Sequence, residues 1–337
     1  MRIALVYQAS ASSWRRHPEL YNKHSKRILD AGQILEQHGL RVSVWNSIKS
    51  YVEDRQNRKA DNELVFSAVE NCFERNRAGL IPSLWELLDI PYIGSDPYAF
   101  TVTTDKKLFQ DICKSVGLSC PPYFEIFPET TTARIKSDLT ASGFSFPLVL
   151  KYRYGTLSYG LSLVHNMDEL ISESERLTFS EPDSPILCQK YIAGREITVP
   201  IIGTGVSAQV LSVIEYTGSN QSPLALYDMQ WKNELDDLVQ IVPLPENSCV
   251  AKKIQEDCLR LYQYLGLRDM SRIDLRVTES GEIYFLEVNC LPNLGYESAF
   301  DPASYGGTDS FDDIMLKIVH SAWDRNKRRM GTWNLKK

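Results

Sequence analysis

The stretch from Ser271 to Asn289 constrains the fold of this chain more than any other part, because it reads as a two-stranded hairpin. Polar and apolar residues alternate along its first part and again along its last part, which is typical of strands that present one face to a core. The residues Glu279-Ser-Gly281 lie between these parts and are typical of a turn. The sequence therefore predicts an antiparallel pair of strands whose alternate side chains project from one face.

Four polar side chains share that face of the predicted hairpin. Arg272 and Asp274 are two residues apart on the first strand, and Glu287 and Asn289 repeat the arrangement on the second. Two carboxylates and an amide form the kind of oxygen cluster that binds one or two Mg²⁺ ions together with substrate phosphates. An arginine beside them could stabilise a developing oxyanion. The alternative is an ordinary surface hairpin whose charges face water.

The composition excludes several classes of protein. A chain of 337 residues with a hydrophobic fraction of 43% has room for two or three lobes. Its net charge is −6, and no run of basic residues stands before the C-terminus, so the sequence does not indicate binding to nucleic acid. No apolar stretch is long enough to span a membrane and no signal peptide is evident, so we expect a cytoplasmic protein with no membrane partner. The seven cysteines contain no Cys-x-x-Cys pair, which argues against a disulfide framework or a zinc site.

Strands and helices alternate through the first third of the chain, which is typical of a parallel α/β sheet. Short apolar strands are expected over residues 2–7, 41–45 and 63–66. A terminal helix is predicted over 311–328, where basic residues including Arg325 would complement the helix dipole. We therefore predict an α/β protein with α+β lobes. The predicted divisions are an N-terminal α/β domain (1–104), a central lobe (105–190) and a C-terminal lobe that carries the hairpin (191–337).

Lys151 is the first candidate for phosphate binding. It ends the apolar run that begins at Pro147, where a cation is costly unless it meets an anion just past the strand. The loop from Arg153 to Gly160 follows, and its glycines and hydroxyls would allow phosphate oxygens to approach the backbone. The alternative is a hairpin turn with a lysine that reaches water.

Two other segments could complete a nucleotide site. The linker from Cys188 to Glu196 could present backbone groups to a flat base, with Glu196 accepting hydrogen bonds from ribose hydroxyls; alternatively, Glu196 pairs with a nearby arginine. The polar loop over 217–238 has the length of a lid, and Lys232 in it could close onto a terminal phosphate. A solvated loop lysine is the alternative for Lys232.

Taken together, these residues resemble the ATP-grasp superfamily, and within it the D-alanine–D-alanine ligase branch. The resemblance covers nearly the whole chain, and the spacings of 13 residues from Asp274 to Glu287 and nine from Lys151 to Gly160 also agree. The matching segments are Ile90-Pro-Tyr-Ile-Gly-Ser95, Thr104-Asp-Lys106, Pro147-Leu-Val-Leu-Lys151, Gly194-Arg-Glu-Ile-Thr-Val199, Tyr227-Asp228 with Lys232, Arg272-Ile-Asp274, and Glu287-Val-Asn289 with Pro292. The fold implied is an ATP-grasp fold preceded by a parallel α/β domain.

The resemblance implies a role for each of these positions, with ATP and two Mg²⁺ ions bound and Mn²⁺ as a substitute. Lys106 and Lys151 would hold the α- and β-phosphates, and Lys232 would reach the γ-phosphate. Glu196 would bind the ribose. The adenine site would comprise Gln189, Lys190, Ile192 and Leu286. The metal ligands would be Asp274, Glu287 and Asn289.

The same resemblance implies a reaction. A carboxylate would be activated as an acyl phosphate, an amine would then attack it, and ADP and phosphate would be released. Arg272, with Ser158 and Gly160 of the loop, would stabilise the tetrahedral oxyanion. Ser298 matches the position that binds the carboxylate of the second amino acid, although a serine that caps the following segment is the alternative. Relatives in this family are commonly homodimers.

The chain departs from the D-alanine ligases where the first substrate would bind. The family's Gly-rich motif with Ser and Glu is absent from 8–14, and its His-Gly motif is replaced over 70–79. Glu70, Arg75 and Arg77 are candidates for a changed substrate site, or for an internal ion-pair network. We expect an ATP-dependent ligase that joins a small carboxylate to an amino acid amine. The alternatives are a true D-alanine–D-alanine ligase and, from another class, a catalytically silent nucleotide-binding protein.

Overall fold

A computed structural model of the chain describes residues 1–7, 29–58, 63–67, 77–155, 158–218 and 239–334. These residues form three β-sheets with helices packed on them. Parallel pairing in the first sheet and antiparallel pairing in the other two confirm the predicted α/β fold with α+β lobes.

The first sheet is parallel, with strand order β2-β1-β3. Its strands are β1 (Arg2–Val6), β2 (Arg41–Trp45) and β3 (Glu63–Ser67). The helices that follow in the chain are α1 (29–37), α2 (Ile48–Arg58), α3 (Arg77–Leu87) and α4 (Pro97–Thr104). The central strand β1 is fully buried from Ile3 to Val6 because both of its faces are covered. Ala4 and Val6 pack with residues of α2 and α3, whereas Ile3 and Leu5 face the opposite layer.

The second sheet is antiparallel, with strand order β4-β7-β5-β6. Its strands are β4 (Tyr123–Ile126), β5 (Leu148–Tyr152), β6 (Ser162–Val164) and β7 (Ile186–Lys190). Helices α6 (Thr132–Ser142) and α7 (Met167–Ser180) cover one face, where apolar residues such as Leu148 and Leu150 form a separate core. Helix α5 (Lys106–Ser115) precedes this sheet in the chain.

The third sheet carries the predicted hairpin. Its path is β11-β10-β8-β12-β13, and β9 pairs with β8. The strands are β8 (Arg195–Ile202), β9 (Gln209–Val210), β10 (Ile214–Thr217), β11 (Gln240–Pro243), β12 (Met270–Val277) and β13 (Ile283–Asn289). Arg272 lies opposite Asn289 and Asp274 opposite Glu287, which confirms the predicted antiparallel hairpin, and the register shifts between Asp274 and Leu275. Helix α8 (Cys249–Tyr264) packs with α5 against β8 and β12.

The last helix, α9 (Phe311–Asn334), returns to the first sheet. Phe311, Ile314 and Met315 share an apolar cluster with Ile3 and Leu5 of β1. The helix is longer than predicted, and the dipole explanation of Arg325 is wrong. Arg325 lies within the helix and forms an ion pair of 2.6 Å with the fully buried Asp269.

Strands β9 and β10 both pair with β8, and residues 211–213 lie between them outside any strand. Within the described ranges, no helix combines the length and apolar character needed to cross a bilayer. Five of the cysteines described are buried and one, Cys249, is exposed. The domain division at 104 and 190 stays a prediction.

Candidate functional site

A deep cleft lies between the second and third sheets. It encloses about 990 Å³ of atom-free space, its open mouth included. Eleven residues predicted from the sequence line this cleft: Lys106, Lys151, Ser158, Gln189, Lys190, Ile192, Glu196, Arg272, Asp274, Leu286 and Glu287. The fold thus brings together side chains that are up to 181 residues apart in the chain.

Two lysines concentrate positive charge in the cleft. Lys151 projects from the end of β5, and Lys106 is the first residue of α5. Lys106 Nζ donates to the Gly155 carbonyl oxygen and lies 3.9 Å from Glu287 Oε2. Burial lowers the pKa of Lys151 to about 8, opposed by the attraction of Glu287 and assisted by the repulsion of Lys106. Two buried ammonium groups that repel each other make this end of the cleft attractive to an anion.

Asp105 and Arg153 fix the position of Lys106. Asp105 caps α5 by accepting from the Lys107 and Leu108 amides at 3.1 Å. Arg153, just past β5, donates to both Asp105 oxygens at 2.8 and 2.7 Å, and to Glu125 at 2.9 Å. The start of α5 is therefore tied to the strand that carries Lys151. Sequence reasoning missed this pair. Its only signal in the sequence was that Asp105, a typical capping residue, precedes a helix.

The hairpin face holds an arginine–aspartate pair. Arg272 donates to Asp274 through Nε at 2.9 Å and Nη2 at 2.7 Å, and the Thr198 hydroxyl donates to Asp274 Oδ1 at 2.6 Å. Burial opposes the charge of Arg272, but the Asp274 carboxylate outweighs it and raises the arginine's pKa. Arg272 and Asp274 are paired, and Glu287 lines the cleft with them, whereas Asn289 is the cross-strand neighbour of Arg272 but does not line the cleft.

The oxygen donors beside this pair suit a hard cation. Asp274 and Glu287 are cross-strand partners, and Asn289 Oδ1 accepts from the Leu291 amide at 3.1 Å. Among the described residues, no group of three or more His, Cys, Asp or Glu side chains has metal-binding geometry. Two carboxylates and one amide oxygen nevertheless fit Mg²⁺, which usually keeps waters and substrate phosphates as its remaining ligands.

Glu196 is paired with an arginine, which was the alternative to its predicted role in ribose binding. Arg276 Nη2 and Nε donate to Glu196 Oε2 at 2.7 and 3.1 Å. The two residues are cross-strand partners on β12 and β8, and both line the cleft. Sequence reasoning missed Arg276, although its position two residues beyond Asp274 places it on the same face.

The loop after β5 and the residue Ser298 have local structural roles. Gly160 has a φ of +70°, and a side chain there would overlap the Tyr152 ring, so packing requires a glycine. Ser298 donates to the Gly295 carbonyl at 2.6 Å and accepts from the Phe300 amide at 3.2 Å. These are the bonds expected of the capping alternative. The binding roles of Gly160 and Ser298 stay predictions, and neither lines the cleft.

Several predicted positions cannot be placed. Lys232, Glu70 and Arg75 lie outside the described residues. Arg77 begins α3, and its side chain is not described. The predicted lid and the predicted first-substrate region therefore stay predictions.

Known proteins share this fold, and some of them resemble this sequence at low identity. A family profile described as "D-ala D-ala ligase C-terminus" matches residues 112–320. A D-alanine–D-alanine ligase from Aquifex aeolicus is 31% identical over 230 residues, which are 68% of this chain and 72% of the relative. The crystal structure of a D-alanine–D-alanine ligase from Bacillus anthracis complexed with ATP superposes with a TM-score of 0.73 at 20% identity, covering 98% of this chain and 99% of that one. That of VanG D-Ala:D-Ser ligase from Enterococcus faecalis gives a TM-score of 0.70 at 20% identity, covering 95% and 99%.

The fold and the cleft therefore define an ATP-grasp enzyme, an ATP-dependent carboxylate–amine ligase. More specifically, the chain belongs to the D-alanine–D-alanine ligase family.

Proposed function

We propose that the enzyme uses ATP and Mg²⁺ to join a small carboxylate, an amino acid or a derivative of one, to the amine of an amino acid. The observation that supports this function most directly is the arrangement of charges in the cleft. Lys106 and Lys151 line the same cleft as the carboxylates of Asp274 and Glu287. Lys106 Nζ lies 3.9 Å from Glu287 Oε2, and Arg272 is paired with Asp274. A magnesium-bound polyphosphate needs both kinds of group at once.

The proposed reaction has two bond-forming steps. A carboxylate oxygen attacks the γ-phosphorus of ATP while the bond to ADP breaks, which gives an acyl phosphate. The amine nitrogen then attacks the acyl carbon, its C–O bond to phosphate breaks, and the amine loses a proton. Bound Mg²⁺ would neutralise charge on the β- and γ-phosphates. Lys106 and Lys151 orient the phosphates, and Arg272, which is charged and close to the metal ligands, stabilises the tetrahedral oxyanion.

The nucleotide would occupy the inner cleft. Gln189, Lys190, Ile192 and Leu286 line it beside Glu196, which supports adenine and ribose binding there. The Gln189 Nε2 atom is buried without a hydrogen-bond partner among the described residues. A buried donor without a partner costs free energy, so a ligand acceptor in the cleft is expected.

A second candidate is a true D-alanine–D-alanine ligase. The name of the Aquifex aeolicus relative favours it. The sequence changes over 8–14 and 70–79 favour a different first substrate. A catalytically silent binder is disfavoured because Arg272, Asp274, Glu287 and both cleft lysines are all retained.

The first experiment identifies the carboxylate. The enzyme is incubated with ATP, Mg²⁺, hydroxylamine and a panel of carboxylic acids, because hydroxylamine traps an acyl phosphate as a coloured hydroxamate. We expect a hydroxamate from at least one acid other than D-alanine, with one ADP released for each. A hydroxamate from D-alanine alone would support the second candidate, and none from any acid would overturn the proposed ligase.

The metal assignment has its own test. Asp274→Asn keeps the size of the side chain but removes a charge from the ligand set, so activity should fall at least about 100-fold, a change of about 3 kcal/mol in the barrier. Asp309→Asn, at an exposed ion pair with Lys317, is the matched control and should keep full activity. Full activity in Asp274→Asn would refute the assignment.

A further inference from the structure

Arg276 lies behind Glu196 at the floor of the cleft. Its side chain is 4% exposed, whereas that of Glu196 is 16% exposed. Both of its bonds to Glu196 reach Oε2, and no described residue bonds Oε1. The arginine therefore fixes the carboxylate from behind and leaves one oxygen for a ligand in the cleft.

The same guanidinium holds the segment that joins the second sheet to the third. Arg276 Nη1 donates to the Ile192 carbonyl oxygen at 2.9 Å and to the Tyr191 hydroxyl at 3.1 Å. It also lies 5.2 Å from the centre of the Tyr191 ring. One buried cation thus connects the residues expected around the adenine with the residue expected at the ribose.

Arg276 keeps its positive charge in the folded protein. A guanidinium stays protonated in proteins, and that of Arg276 lies 2.7 Å from Glu196 Oε2. A planar guanidinium with several donors in fixed directions can hold two acceptors at once, which a lysine cannot do with the same geometry. Cross-strand pairing with Glu196 adds the rigidity of the sheet.

We infer that Arg276 is a positioning residue that aims Glu196 at the ribose hydroxyls of the nucleotide, so that recognition of those hydroxyls depends on a residue that does not touch them. This inference rests on the proposed function, because it takes ATP as the ligand. Arg276 carries out no chemical step, and its effect should appear in nucleotide binding rather than in turnover.

The test compares nucleotides that differ by one hydroxyl. Equilibrium dissociation constants are measured with Mg²⁺ for ATP, 2′-deoxy-ATP and 3′-deoxy-ATP. The wild-type enzyme should bind ATP about tenfold more tightly than at least one deoxy analogue, the value of one hydrogen bond to a charged group. Arg276→Met should weaken ATP binding about tenfold and bring the ratio between ATP and that analogue close to one. Saturating ATP should restore kcat to within about twofold.

Matched variants separate positioning from general damage. Arg276→Lys keeps the charge and should give an intermediate ratio, and it serves as the test if Arg276→Met does not fold. Arg195→Met removes an ion pair with Glu215 that does not line the cleft, so the ratio should stay at the wild-type value. In a Glu196→Gln background, Arg276→Met should change the ratio no further.

Two results would overturn the inference while the proposed function stands. One is a wild-type enzyme that binds ATP and both deoxy analogues equally well. The other is an Arg276→Met enzyme that weakens all three nucleotides by the same factor. A wild-type enzyme that binds no ATP would overturn the proposed function, and this inference with it.

Discussion

Two buried cations of the cleft are stabilised in different ways. Arg276 has a close carboxylate partner in Glu196. Lys151 is buried as well, yet no described residue forms an ion pair with it within 4.0 Å, and its pKa falls to about 8. A cation held without a counter-ion destabilises the protein in the absence of ligand. This destabilisation follows from having the anion site formed before the ligand binds.

Replacing Lys151 should make this cost measurable. At pH 7 the lysine is protonated in both the folded and the unfolded chain, so its burial penalty is fully present. Between pH 8 and its ordinary value of 10.5, the folded protein releases the proton before the unfolded chain does, so wild-type stability rises with pH. Lys151→Met should therefore be more stable than wild type by about 2–3 kcal/mol at pH 7, and much less so at pH 9.5. It should also lose ligase activity.

Urea unfolding of the ligand-free protein at both pH values checks this prediction. Lys190→Met is the matched control, because Lys190 is an exposed lysine at the same cleft and its removal should change stability little at either pH. A Lys151→Met protein that is less stable than wild type at pH 7 would contradict the expected burial penalty.

At the scale of elements, the segment between β7 and β8 determines how the cleft's two walls are joined. Gly194 has a φ of +146°, and its backbone packs directly onto the Val277 carbonyl at the end of β12. Arg276, the preceding residue of β12, binds the same segment through the Ile192 carbonyl. Arg276 and Val277, two adjacent residues of β12, therefore hold this segment against the third sheet.

Gly194→Ala should detach this segment. The new methyl group would overlap backbone atoms of Val277, and the positive φ adds conformational strain. We expect a loss of about 2–4 kcal/mol in the free energy of unfolding and weaker ATP binding. Gly117→Ala has a similar conformational cost at φ +76° but meets no atom within 4 Å, so it should lose only about 1 kcal/mol and bind ATP normally. Equal losses in both variants would refute the packing argument.

Elements with a local sequence signal were the predictable ones. The hairpin followed from alternation around the turn, although its register shift after Asp274 did not, and the strand carrying Lys151 followed from an apolar run. Arg276 was missed because its partner lies 80 residues earlier, on a strand whose pairing with β12 depends on the whole third sheet. The pairing of Asp269 with Arg325 was missed, and Arg325 was assigned to the helix dipole, because the two residues are 56 apart in the chain and only the fold joins them. The roles of Lys232 and Glu70 are untested because they lie outside the described residues.

At the scale of the whole molecule, Asp269 joins three distant parts of the chain. Its carboxylate is fully buried and accepts from the Gly94 amide at 2.8 Å, from the Thr204 hydroxyl at 3.0 Å and from Arg325 at 2.6 Å. Arg325 also donates to the Tyr92 carbonyl oxygen at 2.8 Å. The end of the first α/β unit, the third sheet and the last helix thus meet at one carboxylate.

Arg325→Met should leave that carboxylate buried with no cation beside it. We expect a loss of about 3–5 kcal/mol in the free energy of unfolding, measured by urea denaturation at pH 7. Lys317→Met, which breaks an exposed ion pair with Asp309 on the same helix, should cost less than about 1 kcal/mol. A small effect in both variants would show that Asp269 has been neutralised or hydrated in solution.

The return of α9 to the first sheet has a consequence for synthesis. The layer that covers Ile3 and Leu5 combines Leu35 of α1 with Phe311 and Ile314 of α9, so one face of β1 is completed only by a helix made more than 300 residues later. At ordinary translation rates, this interval is on the order of tens of seconds. During that time, the face of β1 that carries Ile3 and Leu5 has only part of its cover, from residues of α1 such as Ile34 and Leu35. Strand β1 should therefore reach its full resistance to protease only after α9 has been released from the ribosome.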